Sequence, residues 1–70
     1  MTPQTIAFIG GGNMASSLIG GLIADGYDPK TLNVSEPDPG KRKALTERFG
    51  VNTFAEGLDA LQGAATAVLC

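Results

Sequence analysis

The sequence predicts an α/β fold, a parallel sheet wound in the order βαβαβαβ, and three observations lead there. The run Ile6-Ala7-Phe8-Ile9 breaks into Gly10-Gly11-Gly12 and then opens a helical pattern at Asn13-Met14-Ala15. Strand-like and helix-like segments keep alternating to the end of the chain, an order that implies parallel strands joined by right-handed crossovers. Finally, Glu36 falls at the end of the second strand pattern, 21 residues after Ala15.

Thr5 to Ile9 is a near-continuous apolar run rich in strand formers, as expected of a parallel strand covered on both faces. Met14, Leu18 and Leu22, with Ile19 and Ile23, recur at three- and four-residue spacing. They form one broad apolar stripe, read as core, which ends at Gly26, a suitable left-handed residue just past a helix. Asp28-Pro29 marks a turn. Leu32, Val34 and Glu36 alternate as a second strand, with Glu36 at or just past its tip. In Pro37-Asp38-Pro39-Gly40, Asp38 suits an N-cap and Pro39 the first helical position. Ala44, Leu45 and Phe49 supply the buried face of this second helix, and Gly50 ends it. Val51 to Phe54 reads as a short third strand, Glu56 to Leu61 as a short third helix, and Thr66 to Cys70 as a fourth strand.

The first turn carries the chemistry. Gly10-x-Gly12-x-x-Ala15 fits the dinucleotide-binding fingerprint of Rossmann-type domains, in which each small residue has its own steric task. Gly10 permits the tight turn off the strand, Gly12 lets the backbone approach a pyrophosphate, and Ala15 keeps helix and strand close. The phosphates are expected at the helix N-terminus, where unpaired N–H groups and the positive end of the macrodipole stabilise anions. A carboxylate at Glu36 suits the 2′-hydroxyl of an NAD ribose and repels the 2′-phosphate of NADP; its alternative reading is a surface acid beyond a strand. Lys41-Arg42-Lys43 has two readings as well. It is a solvated helix face, or it contains one or two cations that neutralise a 2′-phosphate, since consecutive residues point in different directions around a helix. Ser35 can donate to either ribose form.

With 70 residues, 43% apolar content and a net charge of −2, the composition is that of a soluble globular domain. A complete fold of this type uses about six strands, and one core in so short a chain contributes only about 3–5 kcal/mol. The expectation is a truncated N-terminal half of a dinucleotide-binding domain, occupying residues 1–70 and cut at its fourth strand. If stable alone, its exposed parallel edge invites pairing with a second chain. The charge gives no basic footprint for nucleic acid, and no segment reaches the roughly 20 apolar residues that span a bilayer. The start, with Pro3 and an immediate strand pattern, lacks a signal peptide's basic and apolar regions, so the cytoplasm is the expected location. A single cysteine, Cys70, excludes an internal disulfide. The absence of histidine leaves no metal-ligand cluster or Cys-His pair. No residue is assigned a catalytic role.

The string Phe8-Ile9-Gly10-Gly11-Gly12-Asn13-Met14-Ala15, followed by Ser16-Ser17-Leu18-Ile19-Gly20-Gly21-Leu22, resembles the start of pyrroline-5-carboxylate reductases. The likeness extends over essentially the whole chain, through Ser35-Glu36-Pro37-Asp38 to Ala67-Val68-Leu69-Cys70. Asn13 before Met14 favours this family over the related 3-hydroxyacid and 6-phosphogluconate dehydrogenases, which usually carry G-L-G-x-M-G. The resemblance implies the last step of proline biosynthesis, hydride transfer from NADPH or NADH to the C=N carbon of 1-pyrroline-5-carboxylate to give L-proline, with the cofactor supplying the chemistry. It also implies that Ile9, Gly10, Gly11, Gly12, Asn13, Met14 and Ala15 wrap the pyrophosphate, that Ser35 and Glu36 flank the adenosine ribose, and that Cys70 begins a backbone loop against the nicotinamide-side ribose. In the family the chain continues there as V-K-P. Substrate contacts and the homo-oligomer interface, dimeric or larger, come mostly from a C-terminal helical domain, so these 70 residues alone are expected to bind cofactor weakly and to catalyse nothing.

Two positions depart from the family. Many NADP-using members have Ser, Thr or Arg where this chain has Glu36, and many have Asn where it has Gly57. Both changes remove adenosine-side contacts, so NADH is expected to be accepted at least as well as NADPH. Three other readings use the same turn: a nucleotide-sensing domain without chemistry, a flavin-binding module and a methyltransferase. Ala15 in place of a third glycine counts against the flavin, and the lack of an acid in Thr5 to Ile9 counts against the methyltransferase.

Overall fold

The computed structural model describes residues 4–70; the reading of the chain's start around Pro3 lies outside them. The elements are β1 (Thr5–Ile9), α1 (Asn13–Ala24), a 3-10 turn (Pro29–Thr31), β2 (Leu32–Ser35), α2 (Pro39–Phe49), β3 (Asn52–Phe54), α3 (Gly57–Leu61) and β4 (Ala64–Leu69). The four strands form one parallel sheet in the order β3-β2-β1-β4. This is the expected βαβαβαβ arrangement, with β1 central. Phe8 lies beside Val34 on one side and Val68 on the other.

Alternation along the strands divides the interior between the two faces of the sheet. Phe8, Leu32 and Val34 pack with Ala15 and Ile19 of α1, Leu45 of α2 and Val51, while Ile6, Leu22, Ile23, Phe49 and Val68 close the edges of this core. On the other face, Ala7 and Ala60 of α3 are fully buried and small, which brings α3 close to the sheet. Asn33, next to Ala7 in register, is also buried. Its Nδ2 donates to the Ala60 carbonyl at 3.0 Å and its Oδ1 accepts from Asn52 Nδ2 at 3.0 Å, so β2, β3 and α3 are tied by satisfied polar groups.

The helix ends follow the local signals. Gly26 adopts φ 100°; its N–H donates to the Ile23 carbonyl while that of Tyr27 donates to Leu22, the paired bonds of a Schellman motif. Asp38 caps α2 through Oδ2, which accepts from the Lys41 N–H at 2.9 Å, and Pro39 is the first helical residue. Gly50 closes α2 in the left-handed region at φ 76°.

Three readings need correction. Met14 and Leu18, taken as core, are 66% and 43% exposed. The row that meets the sheet runs through Ala15 and Ile19, and the preceding residue on each turn is rotated by roughly 100° onto the flank. Ala44 is likewise exposed beside the buried Leu45. β4 begins at Ala64, two residues before the expected Thr66, and Cys70 lies just beyond its last residue. Weak strand formers, Ala64 and Ala65, conceal that start, whereas pairing with β1 fixes it.

Candidate functional site

The C-terminal ends of β1, β2 and β4 converge on the glycine turn, at the edge of the sheet where open α/β folds bind ligands. Gly10 has φ 106°, a conformation that L side chains rarely adopt. Its N–H donates to the Ser35 carbonyl at 3.0 Å and, at 3.4 Å, to Ser35 Oγ. The Cys70 N–H donates to the Ile9 carbonyl at 3.0 Å, and a Cβ on Gly10 would lie 3.1 Å from the Cys70 carbonyl oxygen. Backbone conformation and a close neighbour both require glycine here.

Gly11 meets Glu36. Only 7% of Glu36 is exposed. Its Oε1 accepts the Gly11 N–H at 3.2 Å and its Oε2 accepts the Asp38 N–H at 2.8 Å, while its own N–H donates to the Phe54 carbonyl. The carboxylate therefore turns inward to the backbone of two loops. Gly12 differs from both neighbours: its φ of −80° is open to any residue, and a Cβ there would meet nothing within 4 Å. No side chain caps α1, and no acidic residue occupies its first turn. The helix thus begins with its N–H groups uncapped by any side chain, beside the open space at Gly12.

A cavity of about 230 Å³ opens between this helix start and α2. Gly11, Gly12, Asn13 and Ser16 line it on one side, with Lys41 and Arg48 on the other. The cluster Lys41-Arg42-Lys43 separates by role. Arg42 Nη1 donates to the carbonyls of Glu36 at 2.8 Å and Pro37 at 2.9 Å, and Lys43 sits 4.0 Å from Glu47 on the exposed face of α2. Lys41 lines the cavity.

The sequence-predicted residues thus fall into three groups. Ile9, Gly10, Gly11, Ser35, Glu36 and Cys70 form one hydrogen-bonded cluster at the strand tips. Gly12 and Asn13 face the cavity. Met14 projects outward and Ala15 is fully buried, so any contribution of Met14 to a ligand comes through its backbone, and that of Ala15 is close packing. Gly57, at the start of α3, lies against Ile9, where a Cβ would come to 3.8 Å, an ordinary contact. Sequence reasoning missed Ser16 and Arg48. Helical spacing was the available signal, because Ser16 is three residues after Asn13 and Arg48 is seven after Lys41, each on the same face as its predecessor.

Among the described residues, no helix is long and apolar enough to cross a membrane. Residues 5–70 match the family model described as NADP oxidoreductase, coenzyme F420-dependent. The chain is 49% identical over 53 residues to a pyrroline-5-carboxylate reductase of Pasteurella multocida, a match covering 76% of this chain and 19% of that protein. It is 35% identical over 69 residues to the reductase of the same name from Vibrio alginolyticus, covering 99% of this chain and 25% of that one. A solved pyrroline-5-carboxylate reductase from Coxiella burnetii superposes with a TM-score of 0.92 at 38% identity, over 99% of this chain and 26% of its own. The chain spans about a quarter or less of the length of these relatives.

Proposed function

The chain belongs to the family of NADP oxidoreductases described as coenzyme F420-dependent, and from that premise we propose that it is the N-terminal cofactor-binding segment of a pyrroline-5-carboxylate reductase. The observation that carries the reading is Gly12. Neither its backbone angles nor any neighbouring protein atom calls for glycine, yet its bare Cα stands at the uncapped start of α1 and on the wall of the cavity. A residue without a side chain at that point leaves room for a ligand's phosphates against the helix N–H groups.

In this reading the N–H groups of Asn13 and Met14 receive the pyrophosphate and Gly10 holds the turn that aims them. Ser35 and Glu36 stand at the adenosine-ribose end, and Cys70 stands at the nicotinamide side of the β1 tip. The bound NADPH or NADH supplies a hydride to the C=N carbon of 1-pyrroline-5-carboxylate, which becomes L-proline. The segment orients the cofactor; residues contacting the substrate and the homo-oligomer interface belong to the remainder of the reductase, which works in the cytoplasm.

The test is a turnover assay on the full-length protein that carries this segment, following loss of reduced-nicotinamide absorbance with 1-pyrroline-5-carboxylate and each nucleotide. Substrate-dependent oxidation of NADPH or NADH is expected. No oxidation of either would overturn the reading and favour a domain that binds a nucleotide without reducing this imine.

A further inference from the structure

We propose that Lys41 is the residue that discriminates between NADPH and NADH, and that Glu36, despite its place at the tip of β2, is a brace for the glycine turn. The proposal rests on the dinucleotide reading given above and adds which side chain reads the ribose.

Five charged residues surround the β2–α2 turn, and contacts within the protein engage four of them; one of these, Asp38, caps α2. Glu36 spends both carboxylate oxygens on backbone N–H groups, one in each loop, and is almost wholly buried. Each bond is charge-assisted, so the carboxylate is held toward the backbone of the two loops. Arg42 is held by two carbonyls of the same turn, and Lys43 is directed to Glu47. Lys41 remains. Among the described residues its ammonium has no hydrogen-bond or ion-pair partner, and Lys41 lines the cavity shared with Gly12, Asn13 and Ser16. Arg48, two helical turns on, stands over the Phe49 ring at 4.8 Å and lines the same cavity.

The residues that line the cavity thus include two cations and no carboxylate. Such a wall accepts anionic groups: the pyrophosphate takes the helix N–H side at Gly12 and Asn13, and the 2′-phosphate, the group that NADPH has and NADH lacks, takes the α2 side. Lys41 is placed to meet it. Glu36 is a positioning residue: it fixes the distance between the glycine turn and the start of α2, and hence between the pyrophosphate and Lys41.

Calorimetric titration of NADPH and NADH into the full-length protein separates these roles without requiring turnover. Lys41→Ala is expected to raise Kd for NADPH about tenfold more than Kd for NADH, the loss of roughly one charge-assisted bond. Glu36→Gln, which keeps the shape but can accept only one of the two N–H groups, is expected to weaken both nucleotides by the same factor. Lys41→Arg, which retains the charge, should restore most of the discrimination. An unchanged NADPH-to-NADH ratio in Lys41→Ala, or a ratio shifted toward NADPH in Glu36→Gln, would overturn the proposal while leaving turnover by the unmodified enzyme as evidence for the underlying reading. Binding of neither nucleotide by the unmodified protein would overturn both.

Discussion

Glu36 and Gly11 are in direct contact through the carboxylate and the backbone N–H, 3.2 Å apart, and a Cβ on Gly11 would fall 2.9 Å from Glu36 Cβ and 3.0 Å from Oε1. The middle glycine of the turn is therefore small because of an acid 25 residues away. Glu36 in turn reaches the Asp38 N–H, so one side chain joins the β1–α1 turn to the β2–α2 turn.

Gly11→Ala is expected to push Glu36 out of this contact and to destabilise the protein by about 1–3 kcal/mol, the usual consequence of adding a methyl group where none fits. Denaturant unfolding of the full-length protein reads the loss. Adding Glu36→Gly should recover a large part of it, since the obstructing atoms are then gone; strictly additive losses would show that the two residues do not act on each other.

Gly10→Ala carries a different penalty. The backbone stands at φ 106° and the Cys70 carbonyl would lie 3.1 Å from the new Cβ, so strain and crowding combine. A loss of about 1–3 kcal/mol is expected, with a fall in melting temperature before any ligand is added. An unaltered melting temperature would contradict the assigned geometry.

Asp38→Ala removes the side-chain oxygen that accepts the Lys41 N–H at 2.9 Å and should lower stability by about 1 kcal/mol, as N-cap deletions do. Asp38→Asn should retain most of it. Equal losses in the two variants would point away from capping.

Asn33→Leu tests the buried polar tie between β2, β3 and α3. The Ala60 carbonyl would lose its 3.0 Å donor, and Asn52 would keep only the Lys30 carbonyl as acceptor. A loss of about 1–3 kcal/mol is expected from the unsatisfied group, measurable by chemical unfolding; a stabilised variant would show that apolar packing serves this position better.

The element order was legible because its signals are local. Gly26, Gly50 and the pair Asp38-Pro39 mark helix ends by conformational need alone, and each is found doing so. The strand β1 was legible as an unbroken apolar run. What escaped depends on tertiary placement. A three- and four-residue spacing gives a stripe but not its centre, so Met14 and Leu18 were assigned to a core that Ala15 and Ile19 occupy. The placement of Glu36 past β2 was readable, whereas the direction of its carboxylate was not, because that is set by a glycine far away in sequence. The basic cluster likewise offered three equivalent cations until Arg42 folded back on the carbonyls of Glu36 and Pro37 and left Lys41 at the cavity. Arg48 lies outside the run of consecutive cations and joins Lys41 only through the shared helix face.

The most direct measurement compares nucleotide affinity and thermal stability in Gly12→Ala of the full-length protein. At this position φ is −80° and a Cβ would meet nothing within 4 Å, so any loss of stability should be limited to the small preference for glycine over alanine at a helix N-cap. If the bare Cα leaves room for a dinucleotide's phosphates, affinity for both NADPH and NADH should fall by about tenfold or more. Full affinity in a variant of normal stability would contradict the claim that this turn holds the cofactor.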